Sequence, residues 1–471
     1  MKNLIKIVTD IRFWIMVFFA VRMMGITHPP LEVSHNWRQT TVNMVARNFL
    51  EIDNNIFYPR IDIAGEKTGI TGMEFPLLNY LIYLLSKIFG YQHWYGRLIN
   101  LCVSSVGLWF FYKLAERYFN KQAAFNATII LTVSIWFQFS RKIMPDTFAM
   151  SLVIAGIYYG CLYLENDSKK LRLWHLLAYT LLIMLGILSK LPCGYLLVVM
   201  GIFYFSKNIP AKRKIVLLLA SVLGILPVLL WYFYWVPYLV DEFGFWHFFM
   251  GKSMRQGFSE IVQHLGQTTG RFYETALQFI GFAAFVFGLF VAILHKDRKI
   301  IFIFLSSFSA FSIIIFKAGY TFSHHSYYII PFVPVMALVA GYGLTKIKSS
   351  KIALLVLAAI VVEGIANQQH DFRIKEKDHQ IAKLEKDLDK VSGRGDLIII
   401  NSGLYPTPMY FAHRKGWINS NEEILNDQYL EELKNKGLKH IVILKRTFGT
   451  EINLPQYKKV LENDDYCIYD L

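Results

Sequence analysis

The segment "KIVLLLASVLGILPVLLWYFYW" (residues 214–235) decides the class of fold that this chain adopts. It carries no charge after Lys214, and it is long enough to cross a hydrocarbon core of about 30 Å as a helix. Lys207, Lys212 and Arg213 precede it within a few positions. A long apolar run with a basic flank predicts a membrane-spanning helix whose flanked end faces the cytoplasm.

Further apolar runs of this kind lie on both sides of the segment. The full set of predicted spans is 11–27, 95–116, 123–140, 147–164, 173–188, 191–206, 214–235, 274–294, 300–317, 327–345 and 352–366. The composition agrees, since 54% of residues are hydrophobic and only 18% are charged, whereas soluble domains average about 25% charged residues. The sequence therefore predicts a polytopic α-helical membrane protein with about eleven transmembrane helices.

The basic residues between the spans predict the orientation of the chain. Alternate gaps carry them: Arg117 and Lys121; Lys169, Lys170 and Arg172; Lys207, Lys212, Arg213 and Lys214; Lys296, Arg298 and Lys299; Lys346, Lys348 and Lys351. Cytoplasmic loops are rich in Lys and Arg, so the N-terminus is predicted inside and the tail after the last span outside. Because these gaps hold many of the cations behind the net charge of +15, that charge predicts no nucleic-acid partner.

The long first outer loop (28–94) has helical signals of its own. Apolar residues at Val42, Val45, Ala46 and Phe49 form a helical stripe, which predicts a helix over 39–50. The apolar segment 75–90 is short for a span. It is predicted to lie on the membrane surface, because counting it as a span would place the basic gaps outside.

The tail (367–471) changes in character from the spans. Its first part (371–391) has the pattern of a charged amphipathic helix, and "YLEELKNKG" (429–437) predicts a helix that ends at Gly437. "DLIIIN" (396–401) and "HIVIL" (440–444) predict buried strands. We therefore predict a transmembrane domain over 1–366 and a small outer α/β domain with a parallel sheet over 367–471.

Acid, base and cationic side chains concentrate in the predicted outer segments. Directly after the first span, "THPPLEVSHNWRQ" (27–39) supplies Glu32, His35, Trp37 and Arg38. The other outer segments supply Tyr58, Arg60, Glu74, Lys142, Asp146, His247, Arg255, Lys317, His324 and His325. The spans are almost free of charge, whereas transporters place ionisable residues within their spans. The pattern indicates chemistry or binding at the outer face.

Each of these residue types has a chemical and a structural interpretation. Carboxylates can activate a nucleophile or bind a divalent cation, Arg and Lys can bind phosphate, and aromatic rings can stack on a sugar. The structural alternatives are a solvated interface for Glu32, a helix start for Asp146 and a packed side chain for His247.

Several motifs of the chain resemble one known superfamily. "SHNWRQTTVNMVARNF" (34–49), "FYPRID" (57–62), "EFPL" (74–77) and "MPD" (144–146) are similar to patterns of the GT-C membrane glycosyltransferases. The closest resemblance is to the branch of protein O-mannosyltransferases and ArnT-like lipid A aminoarabinose transferases. It runs over the whole chain and is strongest in 28–100. The sequence departs from the family pattern because the usual Asp of the first outer loop is absent.

The resemblance implies a glycosyltransferase of the bacterial cytoplasmic membrane. Its donor would be a polyprenyl-phosphate sugar, and its acceptor lipid A, a cell-surface glycan or a protein outside the cytoplasm. Glu32 or His35 would act as the base, and Asp146 matches a further acid of the family. A non-catalytic glycan-binding or scaffold protein and a lipid-linked sugar flippase are the alternatives.

The remaining candidate residues fall into three sets. Candidates for binding the donor phosphate are Arg38, Arg60, Lys142, Arg255 and Lys317. Candidates for contact with sugar or acceptor are Trp37, Tyr58, His324 and His325. Glu74 and His247 are similar in position to a metal-binding pair of aminoarabinose transferases, so a divalent metal ion is the one cofactor that the resemblance suggests.

Overall fold

The structure is a computed structural model that describes residues 6–245, 251–445 and 452–471, except for the side chains of residues 370 and 371. The chain forms two compact units. Unit 1 comprises Met1–Ile26, Arg97–Phe233 and Phe249–Gln369. Unit 2 comprises Thr27–Gly96, Tyr234–Phe248 and His370–Leu471.

Unit 1 is built from helices, two of which continue into unit 2. Its α-helices are α1 Ile11–Met23, α2 Tyr95–Tyr118, α3 Lys121–Val133, α4 Ile135–Phe139, α5 Pro145–Glu165, α6 Lys169–Ser189, α7 Ala211–Leu230, α9 Met254–Gln263, α10 Leu265–Gly270, α11 Gln278–Leu294, α12 Arg298–Ala318, α13 Tyr320–His324, α14 Val333–Leu344 and α15 Ser350–Gln368. Between α7 and α9 in the chain, α8 Val236–Phe243 belongs to unit 2. Two 3-10 helices, Leu191–Phe203 and Ser326–Phe332, and two π-helical segments, Trp231–Trp235 and Arg271–Ala276, join them.

Each of the predicted spans lies on helical structure, but their predicted number is not confirmed. Seven helices of the described chain are long and apolar enough to cross a membrane, or eight if a pair bent by 97° counts as one span. The other predicted spans, 11–27, 123–140 and 191–206, lie on shorter or interrupted helices. At Ser134, for example, α3 ends and the side chain accepts a hydrogen bond from the Trp136 amide that starts α4, so one apolar run becomes two helices.

Unit 2 contains the two predicted helices of the first loop. They are α16 Asn36–Glu51 and α17 Leu77–Phe89. The predicted stripe Val42, Val45, Ala46 and Phe49 is buried, which confirms the helical pattern. With 13 residues, α17 is shorter than the roughly 20 residues that a span needs, and its exposed face presents Leu84, Ile88 and Phe89.

The tail adds a mixed sheet to unit 2. Its strands are β1 Leu397–Ile400, β2 Lys415–Ile418, β3 Leu438–Leu444, β4 Lys458–Glu462 and β5 Tyr466–Asp470, in the order β2-β1-β3-β5-β4. Strands β2, β1 and β3 are parallel, as predicted. The pairs β3–β5 and β5–β4 are antiparallel, so the sheet that was predicted as parallel is mixed.

Short helices accompany the sheet. They are the 3-10 helices Gln369–Phe372 and Glu376–Lys383, followed by α18 Leu384–Leu388, α19 Thr407–Ala412, α20 Asn421–Ile424 and α21 Asp427–Asn435. The last of these was predicted. The single helix predicted over 371–391 is replaced by 3-10 turns and α18.

The first loop and the tail share one hydrophobic core. Leu31 and Met44 of the first loop are fully buried in the same cluster as Leu384, Ile398 and Tyr410 of the tail. This core fixes the backbone just before Glu32. The predicted assignment of 1–366 to a transmembrane domain and of 367–471 to an outer domain stays a prediction.

Candidate functional site

Glu32 lies in a buried position of unit 2. Only 1% of its surface is exposed, and its backbone forms an antiparallel bridge with Ile374. The Val33 amide donates to the carbonyl of Arg373 at 3.0 Å. Glu32 is therefore not the solvated interface residue that one interpretation of the sequence allowed.

His35 starts α16 in a left-handed backbone conformation. Its φ is 60°, and its Nδ1 lies 2.7 Å from Ser34 Oγ. Non-glycine residues adopt this region infrequently, and it often marks a specific local requirement. Three residues later in α16, the buried Arg38 forms an ion pair with the buried Glu74. The structure therefore pairs one predicted phosphate-binding cation with one predicted metal ligand.

The described residues include only the Glu74 half of the predicted metal pair. The Arg38 guanidinium takes the place of a cation against the Glu74 carboxylate. His247 lies outside the described residues. Within the described ranges, no group of three or more His, Cys, Asp or Glu side chains could hold a metal ion. We therefore assign no step of the reaction to a metal, and metal dependence stays a prediction.

The other candidates of the first loop lie apart from this pair. Arg60 forms an ion pair with Asp53 at 3.0 Å, and the Tyr58 ring packs against Trp235 with ring centroids 5.5 Å apart. Trp37 is half-buried, and its carbonyl accepts from the Thr41 hydroxyl at 2.6 Å.

A second cluster lies at one end of unit 1. Asp146 Oδ1 is 3.4 Å from Lys190 Nζ, and that ammonium lies 5.4 Å from the centre of the Tyr327 ring. The His325 ring stacks on Tyr327 at 5.4 Å. Asp146, Lys190 and His325 come from three gaps between predicted spans that are predicted to face outside, namely 141–146, 189–190 and 317–326. Tyr327 is the first residue of the predicted span 327–345.

Asp146 is buried, and its pairing is incomplete. It is 1% exposed, and its Oδ2 has no hydrogen-bond partner among the described residues. It stands in the first turn of α5, where the helix dipole favours a carboxylate. Asp146 therefore lies at the start of a helix, as the structural interpretation of the sequence had it, although the N-cap itself is Met144. A buried carboxylate oxygen without a partner, beside a cation, is an arrangement that a ligand group would complete.

Asn100 holds the turn before Asp146 in place. Its Nδ2 donates to the carbonyls of Phe139 at 2.9 Å and Lys142 at 2.8 Å. The Lys142 side chain is buried, with its ammonium 5.8 Å from the centre of the Phe139 ring.

Three further candidates of unit 1 are exposed. Arg255 lies on α9. Lys317 ends α12 and donates to the Lys252 carbonyl at 2.9 Å. His324 stacks on Tyr320 at 5.4 Å. The structure therefore brings His325, but not these three, into the Asp146 cluster.

Lys190 is the site residue that the sequence analysis missed. It is a single cation after the apolar run of α6, so it resembles an ordinary helix flank. The sequence did contain one signal for Lys190. It lies in a turn that is predicted to be on the same side of the membrane as the turn that contains Asp146.

The fold now defines a class of protein. The sequence model of the dolichyl-phosphate-mannose-protein mannosyltransferase family matches residues 74–231. A comparison with curated protein sequences finds no significant match. The comparisons confirm the predicted resemblance at the level of the fold, which this chain shares with the solved structures of ArnT and AglB.

Two solved structures show how far the fold extends. ArnT from Cupriavidus metallidurans bound to undecaprenyl phosphate is similar over 97% of this chain and 98% of its own, with 12% identity and a TM-score of 0.60. The oligosaccharyltransferase AglB from Archaeoglobus fulgidus, in complex with an inhibitory peptide and a dolichol-phosphate, is similar over 92% of this chain and 69% of its own. Its identity is 12% and its TM-score 0.54.

Proposed function

We propose that this protein is a membrane glycosyltransferase that moves one sugar from a polyprenyl-phosphate donor to an acceptor at the outer face of the bacterial cytoplasmic membrane. The observation that carries the proposal is a GT-C fold over 97% of the chain, shared with a protein crystallised with undecaprenyl phosphate. The acceptor is lipid A, a surface glycan or a protein.

The first-loop cluster of unit 2 supplies the proposed base. Glu32 or His35 takes the proton from an acceptor hydroxyl, whose oxygen then attacks the anomeric carbon of the donor. The bond from that carbon to the phosphate oxygen breaks, and polyprenyl phosphate leaves with the electron pair. Where the acceptor is already an anionic phosphate, Glu32 or His35 orients it, because no proton has to be removed.

The Asp146 cluster of unit 1 supplies a proposed site for phosphate charge. The Lys190 ammonium would stabilise the charge that grows on the departing phosphate. Asp146 would orient that ammonium, since the two groups lie 3.4 Å apart. The Tyr327 face limits the solvent around the cation, which strengthens its effect.

The test is release of polyprenyl phosphate from a panel of polyprenyl-phosphate sugars in membranes that contain native acceptors. Wild type is expected to release it from one donor. Glu32→Gln and Asp146→Asn are expected to lose release by about 10²-fold or more, the range for positioned proton-transfer and charge-stabilising groups. Glu66→Gln, an exposed carboxylate of the same loop, is the matched control.

Correct folding is checked by the thermal unfolding midpoint of each purified variant. The proposal is supported if the wild type releases polyprenyl phosphate and either variant loses that release at an unchanged unfolding midpoint. The donor from which the wild type releases it then identifies the sugar. No release from any donor with acceptors present contradicts transferase activity and favours a non-catalytic glycan-binding protein.

A further inference from the structure

Unit 1 contains an apolar cavity of about 450 Å³ that the Asp146 cluster does not use. Its body is lined by side chains of α2, α5, α14 and the 3-10 helix Leu191–Phe203. Among them are Phe111, Ile157, Leu196, Met200 and Leu338. The volume falls within the roughly 300–1,000 Å³ of pockets that enclose small ligands. The cavity is therefore large enough for part of a lipid chain.

The polar lining residues of this cavity share one predicted side of the membrane. They are Tyr118, Ser206, Asn208 and Lys299. They lie in or beside three gaps between spans, and the basic residues predict each of those gaps to be cytoplasmic. The cavity thus has an apolar body and a polar rim, which is the arrangement that fits an amphiphile.

Lys299 leaves a positive charge at this rim. It is exposed, and its ammonium donates to the Tyr118 carbonyl at 3.5 Å. The nearby Arg117 is instead neutralised by Glu165, with which it forms an ion pair. Lys299 forms no ion pair with the part of the chain that the structure describes. An uncompensated ammonium above an apolar cavity is complementary to an anionic head group with an acyl chain.

We propose that this cavity binds one anionic phospholipid of the predicted cytoplasmic leaflet, with its phosphate at Lys299 and an acyl chain among Phe111, Leu196 and Met200. The acyl chain gains van der Waals contacts in the cavity rather than hydrophobic transfer energy, because the lipid phase that it leaves is equally apolar. The ammonium selects for negative charge, since one Lys near a membrane surface favours an anionic lipid by about fivefold. The site is independent of the proposed sugar transfer.

The experiment is native mass spectrometry of the delipidated full-length protein, titrated with dioleoyl phosphatidylglycerol or dioleoyl phosphatidylcholine in detergent. Wild type is expected to bind one phosphatidylglycerol about fivefold more tightly than phosphatidylcholine. Lys299→Gln is expected to lose that preference. Lys212→Gln, an exposed lysine that does not line the cavity, is expected to keep it.

A second variant tests the body of the cavity. Val199→Trp fills it and is expected to weaken binding of both lipids at least tenfold, whereas Leu218→Trp on the exposed face of α7 is expected to change neither. Glycerol phosphate, which has no acyl chain, is expected not to compete. Equal binding of the two lipids by wild type overturns the proposal, as does wild-type binding by Lys299→Gln. Because Lys299 is exposed, its variant keeps the test decisive if Val199→Trp does not fold.

Discussion

Two buried ion pairs of this protein differ in how completely their carboxylate oxygens are paired. In unit 2, both carboxylate oxygens of Asp62 accept hydrogen bonds at 2.8 Å, from Arg47 and from Asn48. The same guanidinium donates to the Tyr410 carbonyl at 3.0 Å. In unit 1, Asp146 and Lys190 lie 3.4 Å apart, and one oxygen of Asp146 has no hydrogen-bond partner in the described chain.

The difference separates a structural pair from a candidate functional one. A buried charge is tolerated when its hydrogen bonds are satisfied, and it is costly when they are not. The satisfied carboxylate of Asp62 holds the Arg47 guanidinium in the position from which it donates to the Tyr410 carbonyl of the tail. The unpaired oxygen of Asp146 is the reason that we propose a ligand there, because an unsatisfied buried polar atom in a native fold calls for an explanation.

The largest expected effect comes from breaking the satisfied pair. Arg47→Met leaves the Asp62 carboxylate buried without its cation, so the free energy of unfolding is expected to fall by about 3–5 kcal/mol. The measurement is thermal unfolding in detergent, followed by tryptophan fluorescence. Arg60→Met is the matched control. Its partner Asp53 is 41% exposed, so a loss of at most about 1 kcal/mol is expected.

The double variant Arg47→Met/Asp62→Leu sharpens the same test. Removing both charges is expected to restore most of the lost stability, because no buried charge is then left alone. A double variant as unstable as Arg47→Met would show that the guanidinium matters for its contact with Tyr410 rather than for its charge.

The incomplete pair is expected to respond in the opposite way. Asp146→Asn/Lys190→Gln stays neutral, so its unfolding midpoint is expected to remain near that of wild type. Its rate of polyprenyl-phosphate release is expected to fall about 10²–10³-fold, the cost of removing one preorganised charge-stabilising group. Wild-type release by a folded double variant would make the Asp146–Lys190 pair structural, like the Arg47–Asp62 pair.

The Arg38–Glu74 pair is an intermediate case. Glu74→Gln keeps the shape and removes the charge that Arg38 faces, so stability is expected to fall by about 1.5–3 kcal/mol, the range for hydrogen bonds to charged groups. Because Arg38 takes the place of a cation, a chelator is expected to leave the wild-type unfolding midpoint unchanged. A chelator that reproduces the Glu74→Gln loss would instead place a metal ion at Glu74.

The helical part of this fold could be predicted from sequence because its signals are local. The length of an apolar run and the charge at its end predict a helix without any long-range information. The broken helix at Ser134 could not be predicted, because the apolar composition continues through it. Strand β4 was missed for a different reason: it is an edge strand of largely charged sequence, "KKVLE", with no apolar alternation.

The candidate site was predictable only in part. The sequence marks Glu32, Arg38, Glu74 and Asp146 because each lies in a polar turn beside an apolar run. It does not show that Arg38 pairs with Glu74, or that Lys190 faces Asp146, since these contacts depend on how distant segments pack. A local pattern therefore identifies candidate residues, whereas their pairing needs the structure.

The smallest expected effect concerns a third kind of pair, whose charge depends on pH. In unit 2, His413 lies between two carboxylates: Nδ1 is 2.8 Å from Glu385, and Nε2 is 2.8 Å from Glu51. Burial lowers the pKa of His413, but the bonds to Glu385 and Glu51 outweigh it and raise that pKa above 6.5. The hydrogen bond from His413 lowers the pKa of Glu385 to about 2. Burial opposes this shift, and Arg394 adds to it.

The signs of these shifts define the pH range in which the bridge stabilises the fold. The raised pKa of His413 gives stability that is complete below pH 6.5 and is lost as the pH rises through the folded-state pKa. The lowered pKa of Glu385 gives stability that is complete above pH 4.5 and is lost as the pH falls through about 2. The bridge is therefore expected to contribute most between pH 4.5 and 6.5.

Comparison of wild type with His413→Asn at pH 5.5 and 8.5 measures this contribution. Asn tolerates the left-handed backbone of this position (φ 48°) and carries no titratable charge. Glu51 and Glu385 are 42% and 39% exposed, so solvent screening limits the expected difference to about 0.2–1 kcal/mol. Wild type is expected to lose this much more stability than the variant between the two pH values. Equal losses would show that the bridge does not hold α16 to the tail through charge, which leaves that task to the shared hydrophobic core and to the hydrogen bond from Arg47 to the Tyr410 carbonyl.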